Sequence, residues 1–258
     1  MDILHNGAIA LHHGDCLDVM HDIPDGSVDA IICDPPYGTT ACKWDSVIPF
    51  EPMWIQLKRI IKPKGAIVLF GSQPFTSALV MSNPKMFRYE WIWDKVNMYT
   101  GALLANKQPL RRHENVLIFG RGASTYNKQW RKGEPYYRAR QISKNIGEHI
   151  SKDDYNRVPT VNKGEHNPCS ILEIKGHVRR EKGLHPTQKP VALLEYLIRT
   201  YTNEGETVLD FTFGSCSAGV AALNTKRRFI GIERDDTYYA LGVQRVQTAI
   251  DNLPPMDV

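Results

Sequence analysis

Long hydrophobic runs, paired cysteines and repeated segments are all absent from this sequence of 258 residues. No uninterrupted apolar run approaches the roughly 18 residues that a membrane span needs. The first residues lack the basic stretch followed by an apolar stretch that is typical of an export signal. The five cysteines are odd in number and scattered, with no C-x-x-C pair, which is typical of reduced thiols. We therefore expect a cytoplasmic globular protein that does not associate with membranes.

Spacings typical of metal ligands are also lacking. His166, Cys169 and His177 are residue types that bind zinc, but their spacing fits no zinc pattern and a fourth ligand is missing. The sequence therefore predicts no metal site.

Charge is distributed unevenly along the chain, although the net charge is only +4. Residues 121–184 contain 14 Lys or Arg against 7 Asp or Glu, whereas the remainder contains 18 against 21. This stretch has no clean periodicity and interleaves aromatic residues with its basic ones. Because affinity for nucleic acid comes largely from neutralising phosphates, the pattern predicts an insertion that contacts nucleic acid. A solvated surface loop is the alternative.

Short apolar runs alternate with helical patterns along the rest of the chain, which is typical of an α/β fold with a mostly parallel sheet. Helices are predicted at 50–61, 191–202 and 236–250, where apolar residues recur at helical spacing. The predicted strands are 8–13, 28–33, 66–71, 87–93, 115–120, 207–211 and 228–233.

The tetrapeptide Asp34-Pro35-Pro36-Tyr37 follows a predicted buried strand at its carboxyl end, where open α/β sheets place their ligands. The two prolines donate no N–H and hold the chain extended, so the carbonyls become fixed acceptors. An exocyclic amino group has two N–H donors, which Asp34 and the Pro35 carbonyl could accept, leaving the nitrogen available for attack. Tyr37 could stack on a base flipped out of a duplex. A simple turn capped by Asp34 is the structural alternative.

A glycine-bearing turn forms a second candidate site. Asp210 ends a predicted strand and is followed by the loop 211–217 and a helix start rich in small residues. Such a turn lets the backbone approach a ligand closely. Glu233 ends the next strand and suits ribose hydroxyls. By itself this pattern fits any nucleotide-binding α/β protein.

Three motifs together closely resemble the amino-group DNA methyltransferases: D-P-P-Y at 34–37, H-P-T-Q-K-P at 185–190 and D-F-T-F-G-S-C-S at 210–217. Their order, with D-P-P-Y ahead of the glycine loop, resembles the permuted β group. The resemblance implies a seven-stranded, mostly parallel, Rossmann-like methyltransferase sheet in circularly permuted order. Residues 1–120 would form its catalytic half, 121–184 a target-recognition insertion and 185–258 its S-adenosylmethionine-binding half.

The resemblance also implies roles for particular residues. Asp34, Pro35, Pro36 and Tyr37 would be catalytic. The cofactor S-adenosylmethionine would be bound by Asp15, Cys16, Asp34, Thr187, Lys189, Asp210, Phe211, Phe213, Gly214, Ser215 and Glu233. Among these, Asp15 and Cys16 would border its adenine and Glu233 its ribose, while Thr187 and Lys189 would contact its carboxylate.

The sequence departs from the family pattern at two positions. Phe211 stands where glycine or proline is usual, and Cys216 stands where glycine is usual. A positive φ at Cys216 would strain its side chain.

The implied function is site-specific methylation of adenine N6 in double-stranded DNA, by base flipping and direct displacement. Cytosine N4 is the first alternative, although those enzymes more often carry Ser at the position of Asp34. Methylation of RNA or of protein glutamine, and a DNA-binding relative without catalysis, are further alternatives. Enzymes of the resembled group often form homodimers, but the sequence leaves the oligomeric state, the recognition sequence and any restriction endonuclease partner open.

Overall fold

The computed structural model describes residues 1–39, 45–138, 159–176 and 188–253, and its main feature is a mixed sheet of nine strands. In spatial order these are β1 (Asp2–Leu4), β2 (Ile9–His13), β13 (Arg228–Glu233), β12 (Thr207–Asp210), β3 (Val28–Cys33), β4 (Ile61–Gly71), β6 (His113–Phe119), β5 (Phe87–Asp94) and β11 (Ile171–Glu173). All neighbours from β2 to β4 are parallel, whereas β6 is antiparallel to both β4 and β5. The fold is that of an α/β protein with a mostly parallel core.

All seven predicted strands are present, with β4 beginning at Ile61 rather than at residue 66. The predicted number of seven was too low because β1 and β11 extend the two edges of the sheet. Each of these edge strands has three residues, which is too short to give a period-two pattern in the sequence.

Helices cover both faces of the sheet. One face packs against α1 (Cys16–His21), α2 (Phe50–Ile60) and α3 (Phe75–Ser82), and the other against α4 (Val191–Tyr201), α5 (Ser217–Asn224) and α6 (Asp236–Asp251). Alternate residues of β3 face opposite sides, since Ala30 and Ile32 pack with the second helix set, and Ile31 and Cys33 with the first. Burial of both faces explains why the central strands read as continuous apolar runs. None of the described helices combines the length and apolarity of a membrane span.

The predicted helices at 50–61, 191–202 and 236–250 correspond to α2, α4 and α6. The sequence patterns did not predict α1 and α3, which have six and eight residues and so offer few helical turns of periodicity.

Residues Lys128–Cys169 form a separate compact unit. Within it, β7 (Arg131–Lys132) pairs with β10 (Glu165–His166), and β8 (Tyr136–Arg138) pairs with β9 (Thr160–Asn162). The unit is shorter than the insertion expected at 121–184, since β11 lies in that range and belongs to the main sheet.

The positions of β3 and β12 determine where the two candidate motifs meet. These strands are parallel neighbours in the middle of the sheet, with Val208 paired to Ala30 and Leu209 to Ile31. D-P-P-Y follows β3, and the glycine loop follows β12. The two motifs therefore lie side by side at the carboxyl edge of the sheet.

Candidate active site

A cavity of about 350 Å³ opens at this carboxyl edge. Its volume falls within the roughly 300–1,000 Å³ that is usual for ligand pockets. The predicted site residues that line it are Asp15, Cys16, Asp34, Pro35, Pro36, Tyr37, Lys189, Asp210, Phe211, Phe213, Gly214, Ser215 and Glu233. Thr187 lies outside the described residues. The structure thus brings both motifs to a single cavity.

Thr212 joins the two motifs directly. Its Oγ1 donates a hydrogen bond to the backbone carbonyl of Asp34 at 3.1 Å and lies 3.0 Å from Cys33 Sγ. These contacts cross a sequence separation of nearly 180 residues and follow from the pairing of β3 with β12. The catalytic corner and the glycine loop therefore share one wall of the cavity.

The carboxylate of Asp34 has partners on both of its oxygens. Tyr37 Oη donates to Oδ1 at 2.6 Å, and Lys189 Nζ forms an ion pair with Oδ2. The Tyr37 ring stacks on Phe75, with ring centroids 5.0 Å apart. Both oxygens of the Asp34 carboxylate are therefore paired, and the Tyr37 ring packs within the protein.

Lys189 belongs to a buried chain of alternating charges. Its Nζ lies 3.3 Å from Glu114 Oε2, and Glu114 Oε1 lies 2.6 Å from Lys95 Nζ. The Lys189 and Lys95 side chains are each at most 7% exposed, so these ion pairs are weakly screened by solvent. The order of charges from Asp34 to Lys95 is negative, positive, negative, positive.

This arrangement shifts the pKa values of Asp34, Lys189 and Glu114. Burial raises the pKa of Asp34, and the opposing effect of Lys189 only partly cancels the rise. Burial alone would lower the pKa of Lys189, but Asp34 and Glu114 outweigh it, and the pKa is raised. Burial alone would raise the pKa of Glu114, but Lys189 and Lys95 reverse this effect and lower it. Lys189 therefore remains a fixed positive charge beside Asp34.

The glycine loop is held in place by Glu233 at the end of β13. Glu233 Oε2 accepts from Gly214 N at 2.9 Å, while Oε1 accepts from the N–H groups of Arg234 and Asp235. Asp210 is buried at the opposite side of the loop, and burial raises its pKa to about 7. The cavity therefore has an acidic side chain at each end of the loop.

Cys216 has a positive φ, with φ 56° and ψ 37° at the N-cap of α5. Its side chain is fully buried, and burial raises the pKa of the thiol well above its ordinary value. Cys216 is therefore an unreactive packing residue in a backbone conformation that favours glycine.

Sequence reasoning missed Lys95 and Arg245. Arg245 Nη1 on α6 donates to Ser215 O at 3.0 Å and to Ser217 Oγ at 2.9 Å, which fixes the start of α5. Both residues look like ordinary surface charges in the sequence, and only the tertiary fold shows their partners. Sequence reasoning also gave no role to Glu114, which lies near the start of β6.

Comparisons with known proteins agree with this geometry. The chain is 28% identical to the DNA adenine methyltransferase YhdJ of Escherichia coli K12, over 95% of this chain and 84% of that protein. It is 26% identical to the type II methyltransferase M.HpaI of Haemophilus parainfluenzae, over 92% of this chain and 74% of that protein.

Two solved structures share the fold. The S-adenosylmethionine complex of M1.HpyAVI has a TM-score of 0.60 and 24% identity, covering 95% of this chain and all of that chain. The cytosine-N4-specific PvuII DNA methyltransferase has a TM-score of 0.65 and 15% identity, covering 97% of this chain and 90% of that chain. Residues 28–244, most of the sequence and both motifs, match the family described as DNA methylase, and the chain therefore belongs to this N6/N4 DNA methylase family.

Proposed function

We propose that this DNA methyltransferase transfers a methyl group from S-adenosylmethionine to adenine N6 in double-stranded DNA. The observation that carries the proposal is the contact between the two motifs, in which Thr212 Oγ1 donates to the Asp34 carbonyl at 3.1 Å. It brings an acceptor for an amino group within reach of a loop suited to a nucleoside ligand.

The residues of the cavity fit S-adenosylmethionine. The acidic ends formed by Asp210 and Glu233 suit a positively charged amino group and ribose hydroxyls. Phe213 packs closely on α6 and β13. A Cβ added at Gly242 of α6 would lie 2.5 Å from its ring, and a Cβ added at Gly231 of β13 would lie 2.7 Å from it. The loop is therefore braced from behind, and its backbone can border a ligand without shifting. When bound, S-adenosylmethionine supplies a methyl group on a positively charged sulfur.

The D-P-P-Y corner prepares the amino group of the base. Asp34 and the Pro35 carbonyl accept its two N–H donors, so the nitrogen lone pair is withdrawn from the ring and becomes available. On Asp34 the amino group replaces the Tyr37 hydroxyl, and the Tyr37 ring stacks on the base with the face that does not contact Phe75. Asp34 then accepts the proton that the nitrogen releases after transfer, while Lys189 holds the carboxylate in place from its other oxygen.

Two observations favour adenine over cytosine. Asp34 stands where cytosine-N4 enzymes more often carry Ser, and the related YhdJ is named a DNA adenine methyltransferase. The second candidate, cytosine N4, is supported by the likeness of fold to the PvuII enzyme.

We further propose that Lys128–Cys169 recognises the DNA site. This unit contains nine Lys or Arg against five Asp or Glu. Exposed aromatic rings accompany these charges, with Lys128 Nζ 4.5 Å from the Trp130 ring and Arg138 over Tyr136 at 5.7 Å. Basic and aromatic side chains together suit phosphates and base edges.

The test is to express the chain in a host without other DNA methylation, digest its DNA to nucleosides and identify the modified base by mass spectrometry. We expect N6-methyladenine. N4-methylcytosine would overturn the choice of base and retain the family, whereas the absence of both would overturn the proposal.

Matched variants test the role of the corner. We expect Asp34→Ala to abolish methylation while calorimetry still detects S-adenosylmethionine binding, because Ala removes the carboxylate that accepts from the amino group. The control is Asp18→Ala, which removes an exposed carboxylate outside the cavity and should leave methylation unchanged. Full activity of Asp34→Ala would contradict the assigned role.

A further inference from the structure

The segment between β5 and β6, residues 95–112 (the β5–β6 arm), exposes apolar side chains beside the cavity. Leu103 at its tip is fully exposed, and Leu104, Leu110 and Tyr99 are each more than 40% exposed. Single exposed leucines are common on protein surfaces, but four large apolar side chains within twelve residues form a patch.

The tip of the arm has a shape defined by its own backbone. Thr100 and Arg111 exchange hydrogen bonds of 2.8 and 3.0 Å that close the loop. Beyond them, Gly101 has φ 89° and starts a 3-10 turn, Ala102–Leu104. Every residue from 101 to 110 is exposed, so Leu103 projects from a structured turn.

The arm begins at the cavity wall. Met98 and Thr100 line the same cavity as Asp34 and the glycine loop. Leu103 is three positions after Thr100 in the sequence, so their Cα atoms lie at most about 11 Å apart. Leu103 is therefore close to the mouth through which a flipped base would enter.

The charge of the arm suits a polyanion. Residues 95–113 contain no Asp or Glu, whereas Lys107, Arg111 and Arg112 carry positive charge. Arg112 is paired with Asp94 at the base of the arm. The exposed tip thus has an apolar side chain close to basic residues, and it contains no acidic residue.

We propose that the β5–β6 arm enters the DNA duplex and that Leu103 fills the space that the target base leaves when it is flipped out. The inference rests on the proposed function, because only a base inside a duplex needs to be extracted. Apolar side chains such as Leu are the residue type that proteins insert between base steps, and Lys107 would contact the adjacent phosphates.

A second copy of this chain is the competing occupant of the patch. Two arms meeting across a twofold axis would bring like charges together, and the arm has no acidic residue to offset them. The charge therefore favours DNA.

The test compares Leu103→Ala and Leu103→Met with the unaltered protein on two duplexes that carry its own methylation site. In one duplex the target base is paired, and in the other it faces an abasic position. On the paired duplex we expect Leu103→Ala to lower kcat/KM about ten- to hundredfold, in line with the loss of a buried leucine side chain. On the abasic duplex the loss should be less than about threefold, since the base is already unpaired.

Leu103→Met should retain activity on both duplexes because it keeps an apolar side chain of similar volume. Met81→Ala is the control, since Met81 is 72% exposed on α3 and lies outside the cavity lining. Equal losses on both duplexes, or no loss with Leu103→Ala, would overturn the inference. A changed sedimentation coefficient without selectivity for the paired duplex would assign the patch to a second copy.

Methylation by the unaltered protein distinguishes failure of this inference from failure of the proposed function. If that protein methylates no DNA, the proposed function fails before any variant is considered. If it methylates the duplex and Leu103→Ala does so equally well, only the proposed role of Leu103 fails.

Discussion

At the scale of single residues, the cavity depends on the charged groups that surround a buried carboxylate. Burial raises the pKa of Asp34, and Lys189 is the main opposing influence. Glu114 and Lys95 continue the charge alternation behind Lys189 and keep its ammonium group in place. The resemblance assigned Lys189 to the carboxylate of the cofactor, whereas the structure pairs it with two carboxylates of the chain itself.

We predict that Lys189→Gln shifts the acidic limb of the kcat/KM profile to higher pH by about 1–3 units. Without the ammonium group, burial acts unopposed on Asp34, whose pKa rises further, and Asp34 must be ionised to accept from the amino group. Activity measured from pH 5 to 9 should therefore be lost as pH falls through a higher value than in the unaltered protein. Lys189→Arg should restore the original limb because it keeps the charge. An unshifted limb in Lys189→Gln would contradict this role.

Asp210 leads to a prediction of opposite effects on stability and binding. Its pKa is about 7 in the folded protein because of burial, against an ordinary value of 3.8. The folded state therefore holds this proton more tightly than the unfolded state, and stability falls as pH rises from about 4 to 7. Asp210→Asn removes this penalty and should raise the free energy of unfolding at pH 8 by roughly 1–3 kcal/mol.

Urea denaturation at pH 4 and pH 8 measures the effect on Asp210→Asn. The gain should be small at pH 4 and large at pH 8, while calorimetry should show weaker S-adenosylmethionine binding at pH 8. A gain that is independent of pH would show that ionisation of Asp210 is not its cause.

At the scale of elements, the turn from β12 into α5 carries a strained residue. Cys216 has a left-handed backbone, which costs a non-glycine residue roughly 1–2 kcal/mol. Its thiol fills a tight site, since a Cβ on Gly219 would lie 2.5 Å from Cys216 Sγ. At Cys216, therefore, backbone strain destabilises the fold while packing of the thiol stabilises it.

Two substitutions separate these effects. Both Cys216→Ala and Cys216→Gly remove the sulfur, but only Cys216→Gly relieves the left-handed strain. We expect Cys216→Gly to be more stable than Cys216→Ala by about 1 kcal/mol in denaturant titrations. Equal stability, or a more stable Ala variant, would show that the turn adapts to a side chain at no cost.

The elements also show what could be predicted from sequence. Strands such as β3 and β4 are buried on both faces, so their apolar runs are continuous and easily recognised. The edge strands β1 and β11 are mostly exposed and take their structure from a single neighbour, so their residues carry no comparable pattern.

The candidate site divides in the same way. The residues of D-P-P-Y and the glycine loop are contiguous in sequence, and their spacing indicated their chemistry. Lys95, Glu114 and Lys189 form one ion-pair chain from three distant segments. Pairings of that kind depend on which strands become neighbours, and local sequence patterns do not contain that information.

At the scale of the whole molecule, charge is divided between the two compact units. The unit Lys128–Cys169 has nine basic against five acidic residues, whereas the other unit has 23 of each. An enzyme core without net charge gains little from long-range attraction to DNA phosphates. If Lys128–Cys169 recognises DNA, most of the salt dependence of binding should come from this unit.

We therefore predict that Lys132→Gln combined with Lys163→Gln weakens binding to every DNA sequence and lowers the slope of log K against log salt by about 1 for each phosphate that is no longer neutralised. Both lysines are exposed in the compact unit. The matched control is Lys58→Gln with Lys226→Gln, which removes two exposed charges from segments that precede β4 and β13, at the edge of the sheet opposite the cavity. Fluorescence anisotropy at several salt concentrations measures both pairs, and S-adenosylmethionine binding should be unchanged in each. Equal slopes for the two double variants would place the phosphate-binding residues elsewhere on the molecule.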